Sequence, residues 1–141
     1  MAKKNVVVCF DFENDKHYRN TLKMWDANSN FEFTFNDLTP NEIQSNDIPT
    51  IKSVLTRKIN QATYTLVIIG KYANSPHKDR KEIGYKNWQN FEIVKSYENN
   101  NKIVAVKINS SYSSPEEIYG KGVSWAMSFT QDAIIKALNE A

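Results

Sequence analysis

Cysteine, histidine, glycine and proline are all scarce in this chain of 141 residues, at one, two, four and four copies. The lone Cys9 lies within the apolar run Val6-Val7-Val8-Cys9-Phe10, so it can form no internal disulfide and reads as a buried small hydrophobe. A reducing compartment, the cytoplasm, is expected. With His17 and His77 as the only histidines, no zinc set can be assembled, and no metal site is expected. Neither the glycine-rich dinucleotide fingerprint nor a P-loop occurs, so any nucleotide must be gripped by other means. No apolar stretch approaches the roughly 18 residues needed to span a bilayer, and Met1-Ala2-Lys3-Lys4 leads into a strand-like run and not a signal peptide. Blocks of like charge are missing too. The 18 basic and 16 acidic residues alternate along the chain for a net charge of +2, without the clustered basic stripe of a nucleic-acid surface. No nucleic-acid or membrane partner is expected.

What is present suffices for one core. Hydrophobic residues make up 40% and aromatics 12% of the chain, which predicts a single folded domain over residues 1–141. Asparagine is frequent, a bias from which no function is drawn. Val6 to Phe12 reads as a strand buried on both faces, followed by a helix carrying Tyr18, Leu22 and Trp25, with Asn14 or Asp15 as its N-cap. Phe31, Phe33 and Phe35 alternate with polar residues, as in a strand at a sheet edge. A loop over Leu38 to Asn46 precedes a helix capped by Asp47, with Pro49 in its first turn and Ile51, Val54, Leu55 and Ile59 as its buried stripe. Thr63 to Ile69 is a β-branched run closed by Gly70, the pattern of a central strand.

Lys71 to Asn87 is the longest irregular stretch, and such loops are uncommon in compact domains unless they act. A helix marked by Trp88, Phe91, Ile93 or Val94, and Tyr97 follows, then a strand over Lys102 to Asn109. A turn-rich loop, a short strand at Val123 to Met127 and a helix capped by Ser128 or Thr130 close the chain. Strands alternating with helices imply a parallel sheet covered on both faces, with ligands bound outside the carboxyl ends of the strands.

Glu92 sits one helical turn from Trp88, between Phe91 and Ile93, where its carboxylate could meet a ribose hydroxyl or a developing oxocarbenium ion. From spacing alone it reads as a solvated helix residue in an i, i+3 pair with Lys95. Asp11, at the end of the first strand, either projects into the ligand crevice or caps a helix. Tyr18 and Arg19 open the first helix, and Arg19 suits either a pyrophosphate or a surface pair with Asp15 or Glu13. Lys78, Arg80, Lys81 and Lys86 in the long loop are read as solubilising.

The stretch Trp88-Gln89-Asn90-Phe91-Glu92-Ile93 resembles the W-x-x-x-E-I helix start of TIR-like domains of the Thoeris ThsB type. Ile48 to Gly70, Asn101 to Asn109, Val123-Ser124-Trp125 and Asp132-Ala133-Ile134 resemble the same family's other elements, so the likeness spans nearly the whole chain. It implies an α/β fold, a flavodoxin-like three-layer sandwich around a parallel five-stranded sheet of order 2-1-3-4-5. It further implies an NAD glycohydrolase or ADP-ribosyl cyclase, in which Glu92 cleaves the nicotinamide–ribose bond of NAD. Phe10, Asp11, Tyr18, Arg19 and Trp88 would line the pocket, although the family often has serine where Asp11 stands. NAD would be substrate and not a resident cofactor. The resemblance also implies an ADP-ribose signal to a separate effector in anti-phage defence, and a homo-oligomer built by contacts between TIR surfaces. The rival is a non-catalytic TIR-like module that binds a nucleotide or another protein. A phosphate-accepting receiver is disfavoured, because the strand that would end in its acceptor aspartate ends in Gly70.

Overall fold

The computed structural model describes residues 3–141. Its strands are β1 (Lys4–Cys9), β2 (Phe33–Leu38), β3 (Tyr64–Ile69), β4 (Lys102–Lys107) and β5 (Ser124–Ala126). Its helices are α1 (Phe12–Asp26), α2 (Ile48–Asn60), a single turn α3 (Arg80–Ile83), α4 (Trp88–Glu98) and α5 (Gln131–Glu140). All pairings are parallel and the strand order is β2-β1-β3-β4-β5. The chain thus has the expected flavodoxin-like order. Among the described residues, no helix is long and apolar enough to cross a membrane.

Alternation along the strands divides the core into two layers. Val6 and Val8 of β1 and Leu66 and Ile68 of β3 face Leu22 of α1 and Ile134, Ala137 and Leu138 of α5. Val7 faces Leu55 and Ile59 of α2 and Phe91 of α4, while Cys9, Val67 and Ile69 pack with Ile93. Every residue of β3 is buried, as its unbroken apolar run requires of a central strand. At the edge, β2 keeps the alternation of its phenylalanines, and Phe31 meets Phe33 and Phe35 at ring separations of 6.2 and 5.8 Å.

Several boundaries differ from the sequence reading. β1 stops at Cys9, and Phe10 and Asp11 leave the sheet. Asp11, and not Asn14 or Asp15, is therefore the N-cap of α1, accepting from the Glu13 amide at 3.2 Å. The long loop after β3 contains the turn α3, whose Ile83 is buried. Tyr97 lies on the exposed side of α4. Asp47 caps α2 as expected, its Oδ2 accepting from the Thr50 amide at 3.0 Å and the Thr50 hydroxyl at 2.6 Å. Asp47→Ala should cost about 1 kcal/mol, read as a lowered urea midpoint with unchanged slope. Wild-type stability in that variant would mean water replaces the cap without loss.

Candidate functional site

In this strand order β1 and β3 are neighbours, yet the chain leaves β1 toward β2 and leaves β3 toward β4. The crevice of such a sheet opens at that reversal. A cleft of about 900 Å³ lies there. Phe10, Asp11 and Asn14 line it from the β1 end, Thr39 to Asn41 from the β2 end, Tyr72 and His77 from the long loop, and Trp88 and Gln89 from α4. Of the residues expected at a pocket, Phe10, Asp11 and Trp88 are therefore brought together. Asp11 serves two purposes: it caps α1 and accepts from Asn14 Nδ2 at 2.6 Å, and it faces the cleft.

Tyr18 and Arg19 do not line this cleft. The Tyr18 ring packs against His17 and Phe129 at 3.9 and 5.0 Å. Arg19 pairs with Asp37 of β2, and not with Asp15 or Glu13, and lies over the rings of Phe10 and Phe12. Both residues sit about two turns further along α1 than the cap, which carries them past the rim.

Glu92 is 1% exposed and is not part of the cleft lining. Neither reading from sequence anticipated this. It makes no pair with Lys95, whose ammonium meets Glu98 at 3.1 Å. Its helix is buried on nearly every side through its first two turns, from Trp88 to Ile93. The carboxyl is held beside Cys9, the residue that ends β1 and precedes Phe10 of the cleft wall. Burial pushes the Glu92 pKa well above the usual carboxylate range, opposed by a hydrogen bond with the Cys9 thiol and by the charge of Lys58. Burial likewise pushes the Cys9 thiol up, and the neighbouring Glu92 adds to it. Cys9 also donates to the Gln89 carbonyl oxygen at 3.7 Å. Oε2 of Glu92 has no hydrogen-bond partner among the described residues.

Three asparagines fix the start of α4. Asn87 caps the helix, its Oδ1 accepting from the Asn90 amide at 3.0 Å, while its Nδ2 donates to the carbonyls of Ala73 and Ser75 at 2.8 and 2.9 Å. The buried Asn90 donates to Asn87 Oδ1 at 2.9 Å and accepts from the Glu117 amide at 2.9 Å. Asn74 accepts from the Glu116 amide at 3.0 Å. One polar clamp thus joins the loop after β3, α4 and the loop after β4, and it holds Trp88 and Gln89 against the cleft with Glu92 buried one turn behind them.

Asp15 is the residue that sequence reasoning missed. Though in the first turn of α1, it is 6% exposed, and its Oδ2 has no hydrogen-bond partner among the described residues. Burial, with the charge of Asp11 adding and that of His17 opposing, raises its pKa from 3.8 to about 6. Nothing in the sequence separates it from Glu13 or Asn14 as a polar first-turn residue. The folded chain therefore holds a proton here that the unfolded chain releases near pH 3.8. Stability from the acid form is complete below that pH and is lost as pH rises through about 6. Urea unfolding across this range should show Asp15→Asn gaining on the wild type as pH rises; a constant difference between the two would refute the shift.

The sequence profile of the family described as "Thoeris protein ThsB, TIR-like domain" matches residues 8–113. No curated protein matches the chain at a significant level. Among solved structures, the chain is similar to a 2-deoxyribosyltransferase from Bacillus psychrosaccharolyticus, at a TM-score of 0.58 and 12% identity, covering 89% of this chain and 87% of that one. It is also similar to a 2-deoxyribosyltransferase from Leishmania mexicana, at a TM-score of 0.58 and 9% identity, covering 97% of both chains. At such low identity these likenesses show the fold alone.

Proposed function

Because this chain belongs to the family of Thoeris ThsB TIR-like domains, we propose that it cleaves the nicotinamide–ribose bond of NAD, with Glu92 as the catalytic carboxylate. The observation that carries the proposal is the orphaned Oε2 of Glu92. A buried carboxyl with one oxygen unpartnered costs free energy, and such expense is concentrated where chemistry is done. Its position supports the same reading: Trp88 and Gln89, one turn earlier on α4, and Phe10, next to Cys9, all belong to the cleft wall.

In the resting state Glu92 is covered, and burial favours its acid form. NAD entering between the β1 and β3 ends displaces the Gln89 side chain, whose amide donates to the Ile68 carbonyl at 3.2 Å, and opens the way to the carboxyl. Once ionised beside the ribose, Glu92 stabilises the positive charge that builds on the sugar as neutral nicotinamide departs. Water or a nucleophilic atom of the adenine then closes on the anomeric carbon, giving linear or cyclic ADP-ribose. NAD is consumed as substrate, and no resident cofactor takes part. An ADP-ribose product acting on a separate effector in antiviral defence, within the cytoplasm and from a homo-oligomer joined through TIR surfaces, completes the proposal.

The test is to incubate the full chain with NAD and follow nicotinamide by chromatography. Release that is undiminished in Glu92→Ala would remove Glu92 from the mechanism. A second reading, a nucleotide-binding module without turnover, is favoured by the exclusion of Glu92 from the cleft lining. NAD binding by calorimetry without any nicotinamide release would select it.

A further inference from the structure

The Asp15 carboxyl lies over Gly70, the residue that ends β3, and the absence of a side chain at position 70 is what lets it in. A Cβ built on Gly70 would stand 2.0 Å from Asp15 Oδ2 and 2.5 Å from Cγ. Gly70 continues the face of Leu66 and Ile68, so Asp15 occupies the α1 side of the β1/β3 reversal. Asp15 does not itself line the cleft; it lies directly behind the lining residues Asp11 and Asn14, which precede it in the same turn of chain. Facing Asp15 are Asp11 from the cap and His17 and Tyr18 from α1, with Tyr112 of the loop after β4 next to Tyr18. Like Glu92, Asp15 carries a buried oxygen that the fold leaves without a partner.

We infer that Asp15 is a ligand-binding residue of this site, donating a hydrogen bond from its acid form to an acceptor atom of an N-ribosyl nucleotide seated across the β1 and β3 ends. The inference rests on the function proposed above, and it adds a contact from the opposite side of the crevice to α4. A ligand acceptor gives the buried carboxyl the partner it lacks, and much of its desolvation is already borne by the free protein. The raised pKa supplies the proton: burial and Asp11 keep the group in its acid form up to about pH 6. Gly70 is then a specificity element, because any side chain there would displace the carboxyl from its place behind Asp11 and Asn14.

Binding of NAD and of ADP-ribose to the full-length chain, measured by calorimetry at about pH 5.5 and about pH 7.5, tests the assignment. Asp15→Ala should weaken binding about tenfold at the lower pH, whereas Asp15→Asn, which keeps an N–H donor, should stay within about threefold of wild type. Wild-type affinity should fall between the two pH values, and that fall should be absent from Asp15→Asn. A purely structural residue would instead lower the unfolding temperature of both variants and leave the pH dependence of affinity in place. Unchanged affinity in Asp15→Ala, or equal loss in both variants, overturns the inference while nicotinamide release continues to support the function. Failure of the wild type both to bind either nucleotide and to release nicotinamide overturns the two together.

Discussion

Glu92→Gln is expected to reduce nicotinamide release by at least about a thousandfold, some 4 kcal/mol of transition-state stabilisation, in a protein that is no less stable than the wild type. The two halves of this result have one cause. Glutamine keeps the shape of the side chain and can still partner Cys9, but it cannot carry the negative charge that a cationic ribose requires. It also removes the cost of a buried ionisable group. Folded Glu92 holds its proton well above its ordinary pKa of 4.5, so the stability of its acid form is complete below that value and lost as pH rises through the folded pKa. Glu92→Gln should therefore gain on the wild type with rising pH, reaching about 1–3 kcal/mol in alkaline urea titrations. A variant that is inactive but also less stable would show that Glu92 supports the fold, and its loss of activity would then say nothing about catalysis.

Asn90→Ala is expected to be the most destabilising of the polar substitutions, at about 2–4 kcal/mol in urea unfolding. The deletion strands the part-buried Glu117 amide and leaves Asn87 Oδ1 with the position-90 backbone amide as its remaining donor. Since total domain stability is about 5–15 kcal/mol, much of the margin would go. Asn90→Asp should not rescue it, because a carboxylate accepts from Glu117 but cannot donate to Asn87. The clamp also sets where α4 begins, so the surviving folded protein should lose activity as well. Recovery of wild-type stability in Asn90→Ala would mean that the three asparagines are placed by the fold and do not place it.

Asparagine abundance was visible in the sequence, but its chemistry was not, because a side chain able to cap, bridge or face water looks the same in every role. Asn90 meets Asn87 three positions away and Asn74 sixteen positions away, and only the fold closes the longer of these separations. The cap of α1 was ambiguous for a related reason. Asp11, Asn14 and Asp15 are all competent caps, and which one acts depends on the residue at which β1 leaves the sheet. Glu92 was legible as a residue to single out, through the Trp88 to Ile93 motif, but its burial was not. Helical spacing places it opposite no obvious stripe, and only the packing of α4 against β1, β3 and α2 closes around it.

The sequence by itself determined the order of strands and helices and the two-sided burial of β3, because apolar periodicity and β-branched runs act over a few residues at a time. It also carried the family likeness that the profile match bears out. Only the tertiary structure decided which side chains are left without partners. Asp15 over Gly70 and Glu92 beside Cys9 are contacts between residues more than 50 positions apart, made where strand ends and helix starts converge. Burial there is a property of the assembled crevice: desolvation depends on everything that surrounds a group, and no local stretch of chain contains that information.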